Sequence, residues 1–257
     1  MGTEFYANPT LRAHGVSHSP DNLRKFLKES LAALKAEKID LWYLHAPDRS
    51  VPFEDTFRAV NDLYQEGLSR RFGYMAWEVA RINEMCTQNG WVRGSVYQGV
   101  YNAIHRGVEP ELFPCLRHYG MAFYAYNPLA GGSLTARYGN DKDENVPELG
   151  SRFDPNIRQG TLYRKRYWND TVFRAVALIR EAMSKHELTE VQCALRWLEH
   201  HSKLQTSGDA IIVGASSAPQ LEENLKALEQ GPLPSDVVEA LDQAWEIAKG
   251  SSWNYFH

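Results

Sequence analysis

Apolar and polar positions along the chain follow two rhythms that take turns. Short apolar segments, rich in aromatic and branched residues, alternate with longer stretches in which apolar residues recur every three or four positions. The first rhythm belongs to strands buried on both faces, the second to helices with one apolar stripe. Their alternation is that of a parallel sheet covered by helices, an α/β fold. Strands are predicted at residues 3–6, 40–44, 71–74, 95–98, 122–126 and 210–213. Ser19 before Pro20 reads as a helix start, and behind it Leu23, Phe26, Leu27, Leu31 and Leu34 form one stripe. Further helices are predicted over 54–66, 77–89, 111–118, 170–185, 189–201, 218–229 and 235–248. Thr189 with Gln192, and Ser217 with Gln220, stand at capping-box spacing. Residues 133–168 are polar and rich in Gly, Pro and Asn, and read as an elaborated loop after the fifth strand. No repeat beyond the strand–helix rhythm is visible, so a single domain over 1–257 is expected.

Composition narrows the function classes. The 257 residues are 43% hydrophobic, enough for one large core. A net charge of −4 gives no reason to expect nucleic acid as a partner. The longest apolar run, 210–215, is too short to span a bilayer, and Met1 leads into the polar Gly2, Thr3 and Glu4 rather than a signal peptide. Cys86, Cys115 and Cys193 are an odd set without close spacing and read as reduced thiols. A soluble cytoplasmic protein acting on a small molecule, with no membrane partner, is the expectation. His14 and His18, four apart, and the adjacent His200 and His201 come without the carboxylate and histidine pattern of a metal site and read as surface-loop or helix-end residues, so no metal is expected.

The segments that follow the strands are more specific. They read Leu44-His45-Ala46-Pro47-Asp48, Tyr97-Gln98-Gly99-Val100-Tyr101-Asn102, Glu111-Leu112-Phe113-Pro114-Cys115-Leu116-Arg117, Tyr126-Asn127-Pro128-Leu129-Ala130-Gly131-Gly132 and Val213-Gly214-Ala215-Ser216-Ser217. In this order the chain resembles an aldo-keto reductase of the aflatoxin-aldehyde-reductase branch, from about residue 3 to the final Asn254-Tyr255-Phe256-His257. The resemblance implies a TIM-type (β/α) barrel with NADPH extended across its mouth. It puts Tyr126 on the nicotinamide face, Gln98 near the carboxamide and Asn127 to Leu129 along the pyrophosphate. Gly214, Ser216, Ser217, Gln220 and Asn224 fall around the adenosine 2′-phosphate. That last group also has a physical rationale: a glycine lets backbone approach closely, and a capped helix N-terminus attracts anions. The same Ser/Gln pair would equally serve only to cap a helix.

The chain also departs from the family pattern. The resemblance implies an aspartate, a tyrosine, a lysine and a histidine, with the tyrosine giving the proton, the lysine lowering its pKa and the histidine orienting the carbonyl. The aspartate and tyrosine belong upstream of the lysine strand, where this sequence starts. The lysine strand reads Ala-Thr-Lys in the family and Gly2-Thr3-Glu4 here, so Glu4 inverts that charge and only His45 corresponds. Gly73 runs straight into Tyr74-Met75-Ala76-Trp77, without the family's Ser-Asn pair. The expectation is an incomplete barrel, about six of eight βα units, whose open edges favour a homodimer.

His45 is a candidate for proton transfer, a core histidine being the alternative. Glu4, partly desolvated at a barrel mouth, is a candidate general acid or base, against a solvated residue at a strand end. The run Tyr163-Arg164-Lys165-Arg166-Tyr167-Trp168 resembles the family's substrate loop. Arg166 or Arg164 would meet an acidic group, and Tyr163 and Trp168 would stack on a flat substrate, unless the run is a charged surface loop. Tyr74 and Trp77 are assigned to the same pocket, and His257 stands where relatives carry an arginine. Three functions follow. The first is non-redox acid/base chemistry (dehydration, isomerisation or rearrangement) on a small aromatic secondary metabolite, with NADP(H) unused. The second is an NADPH-dependent aldehyde or ketone reductase, and the third a non-catalytic binding or regulatory subunit.

Overall fold

A computed structural model describes residues 1–74, 78–137, 149–206 and 208–255, leaving aside the side chain of Pro9. It forms two compact units, one of residues 1–99 and 110–124 and one of residues 100–109 and 125–255. The chain runs β1 (Gly2–Phe5), α1 (Pro9–Ala13), α2 (Pro20–Leu34), β2 (Ile39–Leu44), α3 (Phe53–Gln65), β3 (Ser69–Tyr74), α4 (Val79–Gln88), β4 (Val96–Val100), α5 (Leu112–His118) and β5 (Ala122–Tyr126). It continues as α6 (Arg158–Tyr167), α7 (Asp170–Met183), α8 (Glu190–His200), β6 (Ala210–Ile211), α9 (Ala218–Leu228) and α10 (Ser235–Ala248). Strand order follows the sequence from β1 to β6, the α/β order of a TIM-type barrel with six strands. The pairs β1–β2, β2–β3 and β3–β4 are parallel. No helix among the described residues is long and apolar enough to cross a membrane.

In the first unit both sheet faces are buried, as the unbroken apolar runs imply. Trp42, Phe72 and Tyr74 point to one side, where Phe57 of α3 meets Phe72 and Tyr74 edge-on at 5.9 and 6.0 Å. Leu41, Tyr43 and Val96 cluster on the other side with Ala122 and Tyr124. Gly73 belongs to that side. A Cβ there would lie 2.6 Å from the Tyr43 ring and 2.8 Å from the Val96 carbonyl, so the ring occupies the place of a side chain.

The helices follow their predicted stripes, α2 burying Leu23, Leu27 and Leu31. Ser19 does precede α2, but its hydroxyl makes no cap bond, Pro20 alone setting the first turn. The short α1 escaped the periodicity; its signal was Asn8-Pro9, where the Asn8 side chain accepts from Leu11 N–H at 2.9 Å. In the second unit α7 packs on α10; α7 buries Val172, Ala175, Val176 and Ile179, and α10 buries Val237, Ala240, Leu241 and Ala244. Thr189 and Gln192 close a full capping box on α8.

Two sequence expectations are corrected here. Residues 158–167 of the supposed 133–168 loop form α6, a polar helix that buries only Gly160, Tyr163 and Tyr167, residues spaced to share one face. His18 is not a surface residue. It is 2% exposed, its ring beside Phe5, its N–H donating to Asp48 Oδ2 at 2.8 Å and its carbonyl accepting from Thr56 Oγ1. Burial pushes its pKa down to about 4, against the pull of Asp48 and with a small push from Arg12. His105, 1% exposed in the second unit, is likewise lowered to about 4 by burial, its bond to the Trp253 carbonyl opposing.

Two outcomes are expected. At Gly160 a Cβ would overlap the Asp154 carbonyl, so Gly160→Ala should cost about 2 kcal/mol or more, measured by urea unfolding. Both buried histidines bind a proton more readily unfolded, near pH 6.5, than folded, near pH 4. Their stabilisation is therefore complete above about pH 6.5 and lost as pH falls towards 4, by up to about 3 kcal/mol each. The unfolding free energy should fall over that window, and His18→Gln should flatten the slope.

Candidate functional site

In the first unit, strand register builds one constellation. Glu4 pairs with Tyr43 across β1 and β2, and residues in register share a face, so Glu4 joins the Leu41–Tyr43 side. His45 lies two residues beyond Tyr43, and its N–H extends the ladder to the Phe5 carbonyl at 2.9 Å, which returns it to that side. Glu4 Oε1 then sits 3.1 Å from His45 Nδ1, at ion-pair distance but without hydrogen-bond alignment. The Tyr6 ring stacks on the imidazole at 4.2 Å. The Glu4 side chain is 47% exposed, so the expected desolvation of its carboxylate is corrected: the end of β1 leaves it half in water. Gln98 is half-buried within β4. Tyr74, expected to touch substrate, is a core residue 1% exposed; its hydroxyl accepts from Asn83 Nδ2 at 2.6 Å and donates to Met121 Sδ. Strand alternation sends it to the helix side of the sheet. Trp77 and His257 lie outside the described residues.

The second unit gathers the other candidates. Tyr126 ends β5, half-buried, its phenol pushed up by burial while the Arg166 guanidinium pulls the other way. Asn127 turns the chain with φ 57°, a left-handed conformation that asparagine tolerates. Its Oδ1 accepts from the Tyr163 hydroxyl at 3.0 Å and its carbonyl accepts from Asn102 Nδ2 at 3.0 Å. Its Nδ2 is buried without a hydrogen-bond partner among the described residues. Leu129 follows, its carbonyl taking the Gly132 N–H at 2.8 Å in the next turn.

Tyr163 is buried and also accepts from Arg152 Nη1 at 3.1 Å. Trp168 is packed by Phe153 and Phe173, with the Arg164 guanidinium 4.6 Å over its ring. Arg164 donates to the Phe153 carbonyl, so of the two arginines it is the structural one. Arg166 instead lies 3.7 Å from the centroid of Trp253, which His105 holds by an Nε2 bond to its carbonyl at 2.9 Å. Sequence reading missed Trp253 and His105, since neither stands in a recognised motif.

At the start of α9, Ser217 Oγ accepts from Gln220 N–H at 3.4 Å. The reciprocal half of the expected capping box is not made. Gln220 Oε1 takes the Ser216 N–H and hydroxyl instead, at 3.0 and 2.7 Å. Ser216, Ser217 and Gln220 are exposed, while Asn224 is buried with Nδ2 3.5 Å from the Gly214 carbonyl. Exposed hydroxyl and amide groups around the N-terminus of an 11-residue helix suit a phosphate, and the unpaired buried Nδ2 of Asn127 suits an acceptor on the same kind of ligand. The residues present therefore fit a dinucleotide. Among the described residues no three His, Cys, Asp or Glu side chains are grouped as metal ligands would be.

The family model of the aldo/keto reductase family matches residues 10–246. The chain is 50% identical over 244 residues to an aldo-keto reductase of Pseudocercospora fijiensis, covering 93% of this chain and 81% of that one. It is 51% identical over 242 residues to the aldo-keto reductase pigE of Monascus ruber, covering 93% and 71%. With aflatoxin B1 aldehyde reductase member 2 of Mus musculus it shares 49% identity over 259 residues, covering 97% and 69%. The chain belongs to the aldo/keto reductase family.

Proposed function

We propose that this protein reduces the carbonyl group of an aldehyde or ketone with NADPH. The observation that carries this reading is the polar set of the second unit: Ser216, Ser217 and Gln220 at the N-terminus of α9, with Asn127 Nδ2, which has no hydrogen-bond partner among the described residues. Ser216, Ser217, Gln220 and Asn224 would hold the adenosine 2′-phosphate, helped by the positive end of the helix dipole. Asn127 and Leu129 would line the pyrophosphate, and Tyr126 would offer its ring to the nicotinamide. NADPH, when bound, supplies the hydride that goes to the carbonyl carbon. The chain must then supply a proton to the carbonyl oxygen. Tyr126 carries one on its hydroxyl, which burial keeps protonated. Arg166 is the cation available to an acidic group on the substrate. The three relatives described above are each named a reductase, which favours the redox reading over the non-redox one.

One observation keeps a second reading in view. Glu4 and His45 form a carboxylate–imidazole pair, 3.1 Å apart, of the kind that moves protons without a nucleotide. The two readings separate by product mass. The protein is incubated with aromatic aldehydes and ketones, with and without NADPH. A product heavier by two hydrogens, formed only with NADPH, is expected, together with NADPH binding at micromolar concentration by fluorescence. An unchanged mass or loss of water, without nucleotide, would establish the Glu4–His45 chemistry instead.

A further inference from the structure

The two ends of the Asn127 amide meet different surroundings. Its Oδ1 accepts from the Tyr163 hydroxyl at 3.0 Å, while its Nδ2 is buried with no hydrogen-bond partner among the described residues. An amide turned end for end would exchange acceptor and donor, so a neighbour must set which faces which way. Tyr163 sets it. Its hydroxyl oxygen already accepts from Arg152 Nη1 at 3.1 Å, and its own proton then calls for an acceptor, which Oδ1 supplies. Nδ2 is left pointing away from the tyrosine. A buried donor without a partner is costly, and one held so by its own neighbours is poised for an acceptor from outside the chain.

The frame around this amide is also fixed. The Asn127 carbonyl takes Asn102 Nδ2 and the Ala130 N–H, both at 3.0 Å, which holds the left-handed turn. The Tyr163 ring lies on Gly131, where a Cβ would come within 2.5 Å of it. Gly131 has φ 70°, so its missing side chain serves both the turn and the ring. With 7% exposure, and Phe153 edge-on at 6.2 Å, Tyr163 is built into the fold rather than offered to a flat substrate.

We propose that Tyr163 is a positioning residue: its hydroxyl fixes the Asn127 amide so that Nδ2 donates to a pyrophosphate oxygen of the nucleotide. This rests on the reading of Asn127 as a nucleotide-binding residue, and it gives Tyr163 no part in the chemical step.

The test uses the full chain and its variants Tyr163→Phe, Asn127→Gly and the two combined. Tyr163→Phe keeps the ring on Gly131 and loses only the hydroxyl, and glycine at 127 keeps the left-handed turn without strain. Calorimetry measures the binding of NADP+ and of adenosine 2′,5′-bisphosphate, which carries the 2′-phosphate but no pyrophosphate bridge. Tyr163→Phe should weaken NADP+ about fivefold, within the span of one hydrogen bond, and leave the bisphosphate unchanged. Asn127→Gly should weaken NADP+ by at least as much, and adding Tyr163→Phe to it should cost nothing further. A tyrosine of structural importance alone would weaken both ligands alike, and would do so with or without Asn127. That pattern, or Tyr163→Phe binding NADP+ as wild type does, overturns the proposal and leaves the reductase reading in place. Wild-type protein that binds neither ligand overturns both. The expected binding pattern without NADPH-dependent turnover of any carbonyl leaves the Tyr163–Asn127 device standing and removes the reductase reading.

Discussion

The parallel pairing of β2 with a strand on each side is the constraint from which the first unit follows. Parallel neighbours need a crossover between them, and a crossover helix covers the face it returns over, so successive side chains of β2 must both be apolar. Trp42 and Leu44 go to the helices; Leu41 and Tyr43 go to the opposite face. The Tyr43 ring can lie over β3 only because residue 73 has no side chain. The same alternation decides the chemistry at the end of the strands. It sends Glu4 and His45 to one side, within 3.1 Å, and Tyr74 to the other, into the core. A slip of one residue in β1 would exchange Glu4 for Phe5 on that face and dissolve the pair.

The second unit depends instead on how it accommodates arginine. Arg106 is almost wholly buried, with Asp242 at 2.6 Å, the Ala103 and Leu241 carbonyls at 2.8 Å, and the Trp197 ring beneath it. Each of its three nitrogens donates to the fold, which marks it as structural. Arg164 is committed to Phe153 and Trp168 in the same way. Arg166 shares their aromatic support, and among the described residues no carboxylate pairs with it. The three arginines thus differ in what holds each among the described residues: an acid, carbonyls and a ring for Arg106, a carbonyl and a ring for Arg164, and ring faces for Arg166.

The strands were legible because burial on both faces leaves an unambiguous run of apolar residues, and β5 was recovered to the residue. Helix α6 was not, because its exposed face is Arg, Lys, Gln and Thr and it shows only a narrow buried stripe. The site was legible where a motif is local. Ser217 and Gln220 were placed at a helix start, although Gln220 turns to Ser216 rather than to the cap. Tyr74 misled because a motif match does not say which face of a strand a residue takes. His18 and His105 were missed for a related reason: their burial is set by partners far along the chain, Asp48 and Trp253, which spacing does not reveal.

Glu4 bears on the reductase reading in a specific way. A lysine beside a phenol favours its deprotonated form; a carboxylate does the reverse. The tyrosine–lysine scheme that the resemblance implies cannot therefore run through residue 4. Hydride delivery does not depend on that residue, since it asks only for a held nucleotide and an oriented carbonyl. Under the proposed function, what changes is the source of the proton. Within the second unit a phenol and a cation are found together, Tyr126 and Arg166, with burial raising the phenol and the guanidinium opposing it. That is the physics of a phenol–cation pair met in other residues, and the cation in it lies against the Trp253 ring. Family membership and an inverted charge at residue 4 are thus compatible, provided that the proton no longer comes from the β1 end of the chain.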